Sequence, residues 1–260
     1  MSRPGKTATP PTEAHPRAAR FDRLDALRGF ALLWMAFFHF CFDLSHAGLI
    51  QANFYLDPLW TTQRALILST FLLCAGAGQA IATAQGQSWS RFWKRWGQIV
   101  VCALAVSAGS WWMFPHSYIY FGVLHGMAVM LLIARLSASL GAWLWPLGAL
   151  VVSLPQWLNH PWFDTRLTSI FGLGTHKPIT EDFVPLAPWL GVMWWGLAAT
   201  QWLLRKNPQW LSTALPVGTR LAQPQRALSW LGQWSLTFYM VHQPILLGAL
   251  ELYLMTRRPA

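Results

Sequence analysis

Residues 23–43 read Arg23-Leu24-Asp25-Ala26-Leu27-Arg28-Gly29-Phe30-Ala31-Leu32-Leu33-Trp34-Met35-Ala36-Phe37-Phe38-His39-Phe40-Cys41-Phe42-Asp43. A long uncharged run separates Asp25 and Arg28 from His39 and Asp43. At 1.5 Å per residue a helix would place His39 roughly 21 Å along the axis from Asp25. That distance fits inside a hydrocarbon core of roughly 30 Å, with His39 in the half far from Asp25. At 100° per residue, Asp25, Arg28, His39 and Asp43 fall within roughly 60° of one another. Gly29, Leu32 and Ala36 lie on the same side. Ionisable groups inside a membrane span cost at least a few kcal/mol. This stretch therefore predicts a membrane helix with one functional face: a charged end, a middle of smaller residues, and a His/Asp pair at i and i+4.

The rest of the chain supports a membrane environment. It has 260 residues, 54% of them hydrophobic and 11% charged, with 18 Trp and a net charge of +10. Mean hydropathy is +0.33. Soluble domains carry about 25% charged residues, so an ordinary soluble enzyme and a disordered chain are both excluded. The basic balance does not point to nucleic acid, because Lys and Arg sit between apolar runs rather than on one exposed basic surface. The expected fold is an all-α polytopic membrane helix bundle of about seven transmembrane helices: 24–44, 63–84, 96–114, 118–135, 142–158, 186–204 and 228–254. The third and fourth are separated by the turn Phe114-Pro115-His116-Ser117, the fifth ends at Pro155, and Pro244 is expected to kink the seventh.

Lys and Arg favour the cytoplasmic side of a membrane. With the N-terminus cytoplasmic, all of the chain's 19 Lys and Arg lie inside except Arg64, Arg166, Lys177, Arg257 and Arg258. Seven crossings place the C-terminus outside, which leaves Arg257 and Arg258 against the trend. Residues 1–20 lack the apolar core of a signal peptide and read as a disordered cytoplasmic tail; residues 21–260 form the transmembrane domain. Cys41, Cys74 and Cys102 are odd in number and lie in apolar runs, so neither a disulfide framework nor a structural zinc site is expected. The largest outer loop, 159–185, carries His160, Asp164, Arg166, His176, Lys177, Glu181 and Asp182. Segment 89–96 alternates Trp with Arg91, Lys94 and Arg95. That pattern suits an interfacial belt on anionic headgroups, or a cytoplasmic site for an anionic ligand.

Two further spans carry histidines at a depth similar to His39. The fourth brings Tyr118, Tyr120, Gly122, His125 and Gly126; the seventh brings Gly232, Ser235, Tyr239 and His242, which share one helical face within roughly 80°. His39, His125 and His242 could meet near Asp43. A neutral His can serve as general base, with a carboxylate fixing its tautomer. The same residues could bind a metal, ligate haem or relay protons in a transporter or flippase. They could equally belong to a non-catalytic membrane partner. No lysine lies in a span to form a retinal Schiff base, and no phosphate-binding loop or dinucleotide fingerprint is present.

The run Arg23-Leu24-Asp25-Ala26-Leu27-Arg28-Gly29, followed by His39, resembles the first-helix motif of integral-membrane acyltransferases. The continuation from Phe38 to Leu44 narrows the resemblance to bacterial membrane proteins grouped with the catalytic domain of heparan-α-glucosaminide N-acetyltransferase. Three further stretches fit that group: residues 120–126, 182–191 and 231–244. The resemblance implies a multi-pass protein of the bacterial inner membrane. It would take an acetyl or other acyl group from cytoplasmic acetyl-CoA, as co-substrate, and deliver it to a saccharide or glycolipid at the outer side. No metal is implied. Asp25, Arg28, Arg91 and Arg95 would serve the CoA end, with Arg suited to phosphate contact. The small-residue stripe would leave room for the pantetheine arm. His39 would act as base beside Asp43, and Tyr239, His125 and His242 are candidate oxyanion donors. In the enzyme that names the group the catalytic histidine lies further on, in the outer loop, where His46 is the nearest candidate here. The lipid bilayer is the expected environment, and a homo-oligomer is compatible with the sequence.

Overall fold

A computed structural model describes residues 21–207, 219 and 221–257 of the chain. The tail at 1–20 and the middle of the loop at 205–227 lie outside the described residues. Eight α-helices are described: α1 (Asp22–His46), α2 (Pro58–Ala84), α3 (Trp89–Met113), α4 (Val123–Ser137), α5 (Leu144–Trp157), α6 (Leu186–Lys206), α7 (Ala222–Gln233) and α8 (Ser235–Arg257). Among the described residues there is no strand, only an isolated bridge between Phe121 and Phe183. Among the described residues, four stretches are long and apolar enough to cross a membrane: Asp22–His46, Pro58–Ala84, Trp89–Met113 and Val123–Trp157. The helices α6 and α8 are long enough but not apolar enough to be counted on that basis.

Local chemistry sets the ends of these helices. The Asp57 side chain accepts the Leu59 N–H and Pro58 occupies the first turn of α2; Ser88 caps α3 by accepting the Arg91 N–H. The stretch Val123–Trp157 holds two of the expected segments. A 3₁₀ turn (Ala138–Trp143) joins α4 to α5, and Gly141 adopts φ 56°, a conformation that glycine reaches without steric cost. The chain reverses there. Gly126 packs on Val184 and Ala138 accepts from Gln201, so α4 runs along α6 in the same direction. Along α5, Trp145 meets Trp195 while Val152 meets Gly191, so α5 runs the other way.

Two sequence expectations about helix ends are corrected. The fourth helix begins at Val123, not at residue 118, because Ile119 and Phe121 are drawn into pairing with α3 and with the segment before α6. The seventh segment breaks at Trp234 into α7 and α8, and Pro244 lies inside α8. The broken helix runs parallel to α1: Ser229 donates to the Asp22 carbonyl, Gly232 abuts Asp25, and further along Gln243 reaches Asp43.

Two glycine contacts decide how closely the helices approach. A Cβ on Gly29 would collide with the Leu228 carbonyl, and one on Gly232 with the Asp25 carbonyl. The small-residue side of α1 is thus the seat of α7. It offers no channel at Gly29 for a pantetheine arm, contrary to the expectation from sequence. The main core, formed by α2, α4 and α6 around Leu72, Met130, Met193 and Leu197, holds these helices together.

Candidate active site

The site is built where the C-terminal half of α1 meets α8. The His39 and His242 rings face each other, centroids 5.2 Å apart and inclined by 66°. His242 is buried, and Phe238, one turn back, stacks on it at 5.9 Å with planes 4° apart. Its Nδ1 lies 2.8 Å from the Tyr239 carbonyl oxygen. A carbonyl only accepts, so Nδ1 carries the hydrogen. In the neutral ring Nε2 is then a lone pair, and that atom is buried with no partner among the described residues. The Tyr239 and His242 rings are 5.8 Å apart. The Tyr239 phenol makes no hydrogen bond within the described residues. One ring thus carries an acceptor without a donor, and its neighbour a donor without an acceptor.

Asp43 is buried on the same seam, but His39 is not its partner. Gln243 donates its amide nitrogen to both carboxylate oxygens, at 2.9 and 3.0 Å. The expected His39–Asp43 pair is replaced by a bond between helices, since an i,i+4 neighbour on one helix competes with a side chain that reaches straight across from α8. His39 is partly buried and makes no hydrogen bond among the described residues.

The structure does not give His125 the same setting. Its Nδ1 accepts the Gly122 N–H at 3.3 Å, so Nε2 carries the hydrogen and donates to Ser107 Oγ at 3.0 Å. Ser107 in turn donates to the Ile119 carbonyl at 2.7 Å. Every polar atom of this ring is used in holding α3 against the start of α4. Of the three histidines expected to meet, the structure brings His39 and His242 together and commits His125 to architecture.

Beside His125, Asp182 accepts the Val123 N–H at 2.7 Å and so caps α4, with Gly122 leaving room for the carboxylate. Asp182 lies within electrostatic reach of the Tyr239 phenol. Burial raises its pKa above the ordinary carboxylate value, against the opposing pull of the Val123 N–H and the Lys177 and Arg64 charges. Burial also lowers the pKa of Lys177, as does Arg64 nearby. Near the C-terminal end of α1, Phe42, Ser45, His46, Asn53, Phe54 and Tyr55 line a cleft of about 330 Å³. His46 stacks on Phe42 there.

At the other end of α1, Arg28 donates to Asp25 at 3.0 Å and to the Cys74 carbonyl at 3.2 Å, and presses on Gly78. It ties α1 to α2. Arg91 and Arg95 are exposed on the first turns of α3. Among the described residues no group of His, Cys, Asp and Glu is arranged to hold a metal ion.

The model of the family described as heparan-alpha-glucosaminide N-acetyltransferase, catalytic, matches residues 20–244. The chain belongs to this family. The match covers the first helix through Pro244 and so takes in the whole His39–His242 seam. An acyltransferase-type membrane protein is the reading the match supports. No curated protein and no solved structure gives a match.

Sequence reasoning missed Gln243, Asp182 and Ser107 as contributors. Gln243 follows His242 directly, and Asp182 opens the stretch 182–191, so both lay in motifs already singled out. Ser107 gave no signal beyond its spacing from Ser110, which fixes the Ile119 N–H.

Proposed function

We propose that this protein is an integral-membrane acyltransferase that moves an acetyl or other acyl group from acyl-CoA to a hydroxyl or amine of a saccharide or glycolipid. The observation that carries this reading is the state of His242: its Nδ1–H is committed to the Tyr239 carbonyl, which leaves a buried Nε2 lone pair facing no donor. Such an atom is suited to take a proton from an incoming nucleophile. Family membership supplies the acyl-transfer context.

In the proposed step, the acceptor's lone pair attacks the thioester carbonyl as its proton passes to His242 Nε2. The oxygen that gains charge is held by the Tyr239 phenol. The C–S bond then breaks, CoA leaves as thiolate, and His242 returns the proton to it. His39 lines the opposite side. The cleft of Phe42, Phe54 and Tyr55 offers ring faces, with His46 and Asn53 as polar contacts, on which a sugar can rest. On the CoA side, Arg91 and Arg95 are exposed, whereas Arg28 works chiefly as a helix tie. The same reading gives seven crossings, a cytoplasmic N-terminus and a place in the bacterial inner membrane. The basic inner loops and the hairpin of α4 and α5 support it.

The test is acetyl-CoA binding to the detergent-purified protein by calorimetry, followed by transfer of labelled acetyl to glucosamine and to extracted envelope saccharides. Specific binding, and transfer abolished by His242→Ala, are the expected results. A folded protein that neither binds nor consumes acetyl-CoA overturns the reading.

A further inference from the structure

Gln243 is the one side chain of α8 that grips the carboxylate of Asp43, and the geometry of that grip is constrained by chemistry. An ionised carboxylate only accepts, so the amide nitrogen must face it, as found at 2.9 and 3.0 Å. The amide oxygen then faces away, and it is buried without a partner among the described residues. One residue earlier on the same helix, His242 faces His39; four residues before Asp43 on α1 lies His39. The bond thus joins the two helices one residue beyond His242 on α8 and one turn beyond His39 on α1. Little else polar joins these helices at that level. His39 contributes no hydrogen bond, and neither ring nitrogen of His242 bonds to α1, Nδ1 being held by the Tyr239 carbonyl and Nε2 having no partner among the described residues.

We propose that Gln243 is a positioning residue: by holding both oxygens of Asp43 it fixes the register of α8 on α1 and thereby sets how the His39 and His242 rings face each other. The proposal rests on the reading of those rings as the reactive centre, yet it predicts a property of the resting protein that needs no substrate. With the grip intact, His242 Nε2 stays shielded between the helices. With the grip removed, α8 can shift on α1 and the lone pair becomes reachable from solvent.

The experiment is carbethoxylation by diethyl pyrocarbonate of the full-length protein in detergent, with the modified histidines quantified by peptide mass spectrometry. Gln243→Met keeps the length and removes the amide. Gln243→Asn keeps the amide but is one methylene short. The swap Asp43→Asn with Gln243→Glu restores an amide–carboxylate pair with its direction reversed. His242 modification is expected to rise about fivefold in the two single variants, the opening that one lost hydrogen bond permits. The swap is expected to return towards the wild-type rate. His125, held by its own bonds, should stay at its wild-type rate and serves as internal control.

Unchanged His242 reactivity in a monodisperse single variant overturns the proposal. So does a swap variant as reactive as the single variants. If both single variants fail to fold, a folded swap variant with wild-type reactivity supports the pairing, and one that also fails to fold overturns it. Failure of acyl transfer in the wild type leaves these rates intact, so the two readings fail separately.

Discussion

Two histidines at similar depth in this bundle have opposite surroundings. Around His125, α3, α4 and the link between them converge and every hydrogen-bonding atom is spoken for, from Gly122 N–H through the ring and Ser107 to the Ile119 carbonyl. Around His242, one nitrogen is anchored and the other is left as a buried lone pair beside a second imidazole. Leaving a buried polar atom unpaired costs about 1–3 kcal/mol. A packed bundle that satisfies one histidine completely and another by half has kept the second available. Residue type alone does not separate these roles; the partner of each ring nitrogen does.

The largest expected effect that tests this contrast is on catalysis. His242→Ala should lower acyl transfer by about 10²- to 10⁴-fold, the range ascribed to a positioned general base. Thermal stability should fall as well, by about 2–4 kcal/mol for the cavity left beside Phe238 and His39, so activity is compared per folded molecule. Rates of acetyl-CoA consumption and melting curves on the same preparations check both halves. A variant that melts early and retains its activity per folded molecule would erase the distinction.

The Arg end of α1 resembles the His125 corner, because its contacts are filled. Gly29→Val would drive a branched side chain into the Leu228 backbone, which cannot step aside as a flexible side chain can. A loss of stability of about 3 kcal/mol is expected, the upper part of the range for overpacking. Thermal unfolding in detergent measures it. If Gly29→Val is well folded yet loses acetyl-CoA binding, the stripe is a ligand channel after all and the contrast between the two ends of α1 must be redrawn.

The third effect is smaller. His125→Leu removes an acceptor from the Gly122 N–H and a donor from Ser107. Loss of about 2 kcal/mol of stability is expected from such stranded groups. Activity per folded molecule should stay near wild type, the reverse of the pattern for His242→Ala.

What could be read in the sequence follows the same line. The helical fold and most helix bounds were legible, because apolar periodicity and length report on the bilayer directly. So was the shared level of His39 and His242 along their helices, which needs only the rise per residue. The assignment of Asp43 to His39 rested on a spacing within one helix. It could not weigh Gln243, which is distant in sequence and opposite in space. Likewise the stripe at Gly29 was visible, but a glycine marks a close approach without saying what approaches; here it is the α7 backbone. The start of α4 was misplaced because Phe121 pairs with Phe183, a contact no local pattern encodes.

The smallest expected effect concerns Asp182, which belongs to the filled corner while reaching towards Tyr239. Four groups favour its charged form: the Val123 and Phe183 N–H groups, Lys177 and Arg64; burial opposes them and is the larger influence, so its pKa lies above the ordinary 3.8. Between that ordinary value and the raised one, the folded chain binds more protons than the unfolded chain. Stability contributed by this group therefore falls as pH rises through the window and is level above it. Asp182→Asn cannot titrate and keeps an oxygen for the Val123 N–H. Melting temperatures of the two proteins from about pH 4 to about pH 8 should therefore diverge in the variant's favour as pH rises, then run parallel. Divergence in the wild type's favour would mean that the helix terminus and the two cations outweigh burial. Asp182 would then be a stabilising cap like any other in the filled corner. The expected sign instead makes it a carboxylate kept at a cost, within electrostatic reach of the Tyr239 phenol.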